Sequence, residues 1–82
     1  MKNERSIEEY KKIYELVFSI EVDVVESLAY GTTREWDSFG HFNLITKIES
    51  TYDIEITPEE TISWMNYLDG IEILKNRNIT LV

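Results

Sequence analysis

Apolar and polar positions follow two registers along the chain. Ile7, Tyr10, Ile13, Tyr14 and Val17 recur three and four residues apart, which puts them on one face of a helix. Ser6 stands ahead of that run with Glu9 three residues on, the pattern of a capping box, so the first helix is predicted to start from Ser6. From about Ser19 the period breaks, and Ile20, Val22 and Val24 alternate with Glu21 and Asp23. That alternation fits a strand, but a lone strand of this length has no visible partner. A long connector whose apolar residues plug the core is expected instead, and Tyr30-Gly31-Thr32-Thr33 is turn chemistry.

A second helix is predicted from Asp37-Ser38, with Phe39, Phe42, Ile45, Ile48 and Tyr52 at helical spacing and Leu44 widening the stripe. Asp53-Ile54-Glu55-Ile56 then makes an extended step. Thr57-Pro58-Glu59-Glu60 is a strong helix start: Thr as N-cap, Pro at the first position, Glu at the third. The helix it opens is short, ending near Trp64 or Met65. Asn66 caps another, in which Tyr67, Ile71 and Leu74 face inward and Gly70 implies close packing, since Gly otherwise costs a helix about 1 kcal/mol relative to Ala. The tail Asn78-Ile79-Thr80-Leu81-Val82 either packs back or frays. The sum is an all-α bundle of three longer helices and one short one, with a long first connector, forming a single domain over residues 1–82.

Composition narrows the classes of function. At 82 residues the chain falls below the usual domain size, yet 43% hydrophobic residues are enough for a core. With no Cys there is no disulfide framework, thiolate metal site or protein thiol nucleophile. No apolar run approaches the roughly 18–20 residues that span a bilayer, and no apolar segment of a signal peptide follows Met1-Lys2-Asn3-Glu4-Arg5. A soluble, cytoplasmic protein is expected. Eight basic against sixteen acidic residues, net −8, argue against nucleic acid and anionic membranes as partners. The acidity is concentrated: residues 35–60 hold seven acids against Lys47 alone. Such a segment either steers basic partners over about 8 Å or is simply a solvated face.

The chemistry centres on Glu35-Trp36-Asp37-Ser38-Phe39-Gly40-His41-Phe42. Ser38 falls at a helix N-terminus, where backbone N–H groups lack intrahelical partners and the macrodipole favours an attached anion. It is equally an ordinary capping serine. Asp37 is a second capping candidate, and Trp36 is expected to anchor the helix entry from the core. His41, three residues past Ser38, raises a Ser-His hydrolytic pair, but a strained nucleophile elbow, an evident oxyanion hole and a third orienting residue are not visible. His41 is expected to face solvent. As the lone His without Cys it makes no convincing zinc site, and the acids from Asp53 to Glu60 lack calcium-loop spacing.

The same segment resembles the attachment motif of acyl carrier proteins, Asp-Ser-Leu at the start of the second helix, in the form Trp-Asp-Ser followed by Leu or Phe and then Gly-His. Tyr52-Asp53-Ile54-Glu55-Ile56 and Glu59-Glu60 fall without a gap where that family has an aromatic-Asp step, an Ile-x-Ile extension and a Glu pair. Ile20-Glu21-Val22-Asp23-Val24-Val25-Glu26-Ser27-Leu28-Ala29-Tyr30-Gly31 resembles the family's first connector, and only the chain ends lie outside the likeness.

The resemblance implies an acyl-carrier-like four-helix bundle with 4′-phosphopantetheine joined to the Ser38 hydroxyl, and no catalysis by the chain alone. It implies Asp37 helping to hold Mg²⁺ in a phosphopantetheinyl transferase complex, His41 beside the arm, and Phe39, Phe42 and Glu49 as positions that meet partner enzymes. Phe39 is the one expected to face a partner, Ile45 and Ile48 the core, with Phe42 open between the two. Further partners would be an acyl- or aminoacyl-activating ligase and acyltransferase or synthase enzymes, and nothing demands more than a monomer. Asn43 and Ser50 stand where the better-known fatty-acid carriers have acids, and Lys47 dilutes that face; this points to a dedicated pathway. An aminoacyl or D-alanyl carrier and an unmodified interaction module of the same fold remain open alternatives.

Overall fold

A computed structural model describes residues 3–20, 27–31 and 34–82. Among these, the chain runs β1 (Asn3–Arg5), α1 (Ile7–Phe18), α2 (Ser38–Tyr52), α3 (Pro58–Ser63), α4 (Tyr67–Asn76) and β2 (Ile79–Leu81). Helix starts follow the capping chemistry of the sequence. Ser6 Oγ accepts from Glu8 N and Glu9 N at 3.1 and 3.4 Å. The reciprocal half of that box does not form, because both Glu9 carboxylate oxygens are taken by Arg5 Nη2 at 2.9 and 3.0 Å. At α3 the box closes on both sides, Thr57 Oγ1 accepting from Glu60 N and Glu60 Oε1 from Thr57 N. Asn66 Oδ1 caps α4 through Asp69 N at 2.8 Å. The expected strand-like connector at residues 21–26 and the turn residues Thr32 and Thr33 lie outside the described residues; Ile20 packs against the core and Leu28 is buried within it.

The all-α expectation is corrected at the chain ends. β1 and β2 pair in parallel, Asn3 against Ile79, Glu4 against Thr80 and Arg5 against Leu81. Asn3 N donates to Asn78 O, Val82 N to Arg5 O and Ile7 N to Val82 O, all at 2.8–2.9 Å. The protein is therefore mostly helical, four helices among the described residues, with a small parallel strand pair joining its ends. Two isolated strands of three residues are marginal in water. These hold because Ile79 is buried in the core and Leu81 packs against it. Asn78 makes the turn into β2 with φ +65°, a conformation Asn tolerates better than most residues.

The core is aromatic, built on Tyr10, Tyr14, Phe18, Trp36, Tyr52, Trp64 and Tyr67. Trp64, Tyr14 and Tyr10 are joined in a directed chain, whereas the buried Tyr52 hydroxyl has no hydrogen-bond partner among the described residues. Trp64 Nε1–H donates to Tyr14 Oη at 2.8 Å, the Tyr14 and Tyr10 hydroxyls are 2.7 Å apart, and Tyr10 Oη donates to Tyr67 O at 2.7 Å. The carbonyl can only accept, so Tyr10 receives the Tyr14 proton and every hydrogen in the chain is used. Gly70 sits where this chain passes: a Cβ there would collide with Tyr10 Oη and the Trp64 ring.

Candidate functional site

Asp37 is the N-cap of α2, with Oδ1 accepting from Gly40 N at 2.9 Å and its carbonyl from His41 N at 2.8 Å. Ser38 is the first helical residue and exposed, with the cap supplied by its neighbour. The loop before it folds flat across the first turn, since a Cβ on Gly40 would strike Glu35 O and the Phe18 ring. Trp36 anchors that loop: it is fully buried, stacked on Phe18 at 5.1 Å and edge-on to Tyr14 at 5.6 Å. Gly31 N donates to Trp36 O at 3.0 Å, and Tyr30 N to Met65 O at 2.8 Å, which ties Tyr30 and Gly31 to the Trp36 backbone and to the segment after α3.

His41 does not face solvent as its sequence position suggested. It is 8% exposed. Trp36 Nε1–H donates to its Nδ1 at 2.9 Å, and its Nε2 lies 2.8 Å from Thr61 O. The indole must donate and the carbonyl must accept, so Nδ1 is the bare nitrogen and Nε2 carries the hydrogen. Tyr30 packs edge-on against the ring at 5.3 Å and Trp36 stacks beside it. Both nitrogens are committed, leaving none for the Ser38 hydroxyl. The reason is environmental: a residue about one turn from the helix start looked outward on spacing alone, but the Trp36 loop and α3 cover that side of α2.

Phe39 and Phe42, at 74% and 67% exposure, stand out from the first turns of α2, and Ile62 on α3 is 72% exposed. Ile45 and Ile48 are core. Glu49 is half-buried with Oε2 accepting from Ile56 N at 2.9 Å, so its carboxylate steadies the extended step after α2. Sequence reading missed Ile62, whose signal was that it is the one large aliphatic residue in α3, a helix with no buried residue. It also missed Arg77, which joins the end of α4 to the start of α3. Its Nε and Nη2 bind Glu60 Oε2 and Oε1 at 2.9 and 2.5 Å, and Nη2 also meets Glu55 O. The guanidinium hydrogen bonds hold the Glu60 carboxyl down at about 2, well below the usual carboxylate range.

Asp37, Asp53, Glu55 and Glu59 are exposed. Among the described residues no group of three or more His, Cys, Asp or Glu converges as a metal site, and no helix is long and apolar enough to cross a membrane. What the α2 entrance offers chemically is an accessible primary hydroxyl on a braced helix start, between an exposed carboxylate and exposed aromatic rings. The chain matches no family model, no curated protein and no solved structure.

Proposed function

We propose that the chain is a free-standing acyl carrier protein, an acyl-carrier-like four-helix bundle with its ends joined by a strand pair. It holds acyl groups as thioesters on 4′-phosphopantetheine attached to Ser38. The observation that carries this reading is the exposed Ser38 hydroxyl at the first position of a 15-residue helix, free of the capping duty that Asp37 performs. The residues present fit the group. An attached phosphodiester would lie at the positive end of α2, near the first N–H groups of the helix, which have no intrahelical acceptor. The arm, when attached, supplies the thiol that the chain itself lacks.

Attachment joins Ser38 Oγ to the β-phosphorus of CoA as the bond to the nucleotide oxygen breaks; the serine proton passes to a base of the transferase. Only Oδ1 of Asp37 serves the cap, which is compatible with a second oxygen for the Mg²⁺ of a phosphopantetheinyl transferase. Phe39 and Phe42, beside the attachment point, suit brief apolar contact with a ligase, acyltransferase or synthase, after long-range attraction by the exposed acids. A Ser38–His41 hydrolytic pair is disfavoured because Trp36 and Thr61 occupy both imidazole nitrogens.

Incubation with CoA, Mg²⁺ and a broad-specificity transferase is expected to add the mass of one phosphopantetheinyl group, and Ser38→Ala to abolish the gain. An unchanged intact mass, while a known carrier in the same tube is labelled, overturns the reading in favour of an unmodified interaction module. Charging of the product by an amino-acid-activating ligase in place of an acyl-activating one would assign it to the aminoacyl class.

A further inference from the structure

Among the described residues, none is hydrogen-bonded to the Ser38 side chain to set its direction; the backbone on either side does. Upstream is Trp36, sunk in the core with its indole N–H on His41 Nδ1 at 2.9 Å. Downstream, one turn into α2, is His41 itself, with Nε2 on Thr61 O at 2.8 Å. The imidazole thus links three elements: the loop that carries Asp37 into Ser38, the first turn of α2, and α3. That linkage matters because α3 has no buried residue of its own. Between the buried flanking residues Ile56 and Trp64, α3 is held to the rest of the molecule by polar contacts at two adjacent residues, Arg77 to Glu60 and His41 to Thr61.

The ring is also specific to the task. An acceptor for the indole and a donor for the carbonyl must sit on opposite sides of one flat, short side chain. An aliphatic residue would fill the space and leave both the Trp36 N–H and the Thr61 carbonyl unpaired. Asn reaches about as far as Nδ1 and can replace only the acceptor; Gln reaches about as far as Nε2 and can replace only the donor.

We infer that His41 is a positioning residue for the modification of Ser38, holding the Trp36 loop and α3 together so that the hydroxyl is presented in one orientation. It touches neither CoA nor the transferase. The inference rests on Ser38 being the attachment point. It concerns the geometry in which the hydroxyl is offered to the transferase.

The test measures transferase kinetics on folded apo protein for wild type, His41→Ala, His41→Asn, His41→Gln and Trp36→Phe. Ile79→Ala serves as a control that loosens the strand pair, where Arg5 lies over the Tyr52 ring at the far end of α2. His41→Ala is expected to lower kcat/KM about ten- to a hundredfold, chiefly through kcat, because the exposed docking residues are unchanged while the hydroxyl samples unproductive orientations. His41→Asn should recover more of the rate than His41→Gln, since the Trp36 bond acts directly on the loop that ends at Ser38. Trp36→Phe, which keeps an aromatic ring in the core but is smaller and loses the donor, should fall at least to the level of His41→Gln.

Ile79→Ala, compared at a temperature where it and His41→Ala are equally folded by circular dichroism, should stay within about twofold of wild type. Equal rates for His41→Ala and Ile79→Ala would overturn the inference and leave His41 a packing residue. If His41→Ala does not fold, the order Asn above Gln decides, and Gln equal to or above Asn rejects the proposal. Failure of wild type to be modified at all takes down the attachment reading with it, an outcome distinct from modification that ignores His41.

Discussion

Two tryptophan N–H groups lie in the core, and each starts a chain that ends on a backbone carbonyl. Trp64 reaches Tyr67 O through Tyr14 and Tyr10; Trp36 reaches Thr61 O through His41. Buried polar atoms of this kind cost about 1–3 kcal/mol each when a partner is lost, so such chains specify one packing arrangement. Gly70 is the tightest point beside the first chain. Helix propensity alone favours Ala there by about 1 kcal/mol, but overpacking a rigid aromatic cluster costs about 1–3 kcal/mol. Gly70→Ala is therefore expected to destabilise, lowering the urea midpoint with little change in m. A raised midpoint would show that Tyr10 and Trp64 yield at no cost. The close approach was legible in the sequence as a Gly inside a helical pattern; which side chains press on it was not, because they come from α1 and the segment after α3.

Among the four helices of the described residues, α3 is the least secured. It buries no residue, and Arg77 clamps its N-terminal turn through Glu60 while also meeting the Glu55 carbonyl. The depressed Glu60 carboxyl gives this clamp a pH signature. A carboxyl with a folded value near 2 and an ordinary value of 4.5 contributes its full stabilisation above about pH 4.5, and loses it as pH falls toward 2. The pair is partly exposed, so its contribution is on the order of 1 kcal/mol. Arg77→Ala should lower stability at pH 6 by about that amount, and the gap to wild type should close by pH 2 in chemical denaturation. A gap that persists unchanged at pH 2 would mean the arginine acts through packing instead. The start of α3 was readable from Thr57-Pro58-Glu59-Glu60, since capping is local. Its clamp was not, because Arg77 lies 17 residues away from Glu60.

At the scale of the whole molecule, the cluster of buried phenols makes the fold sensitive to alkali. Burial raises Tyr10 and Tyr14 far above the ordinary phenol value and pushes Tyr52 up to about 12. The folded state prefers the neutral phenol, so this stabilisation is complete below pH 10 and is lost as pH rises from 10 through about 12. Tyrosinate absorbance from these residues is expected to appear together with loss of the helical circular dichroism signal. Ionisation of all the tyrosines with the helical signal intact would contradict the buried arrangement. The strand pair is a feature of the same scale. Ile79 could be recognised as apolar, but its pairing with Asn3 spans nearly the entire chain.

What the sequence determined by itself is what depends on neighbours a few residues away: four helix starts set by Ser6, Asp37, Thr57 and Asn66, the apolar stripes that follow them, and the placing of Ser38 at a helix entrance. Tertiary structure decided the rest, because contacts between distant segments compete with local preference and can override it. Glu49 turned inward to Ile56 beyond the end of its helix, and the tail found a partner in β1. His41 went from an outward-facing position to a buried link because a tryptophan five residues earlier and a carbonyl twenty residues later each required a partner out of reach of water.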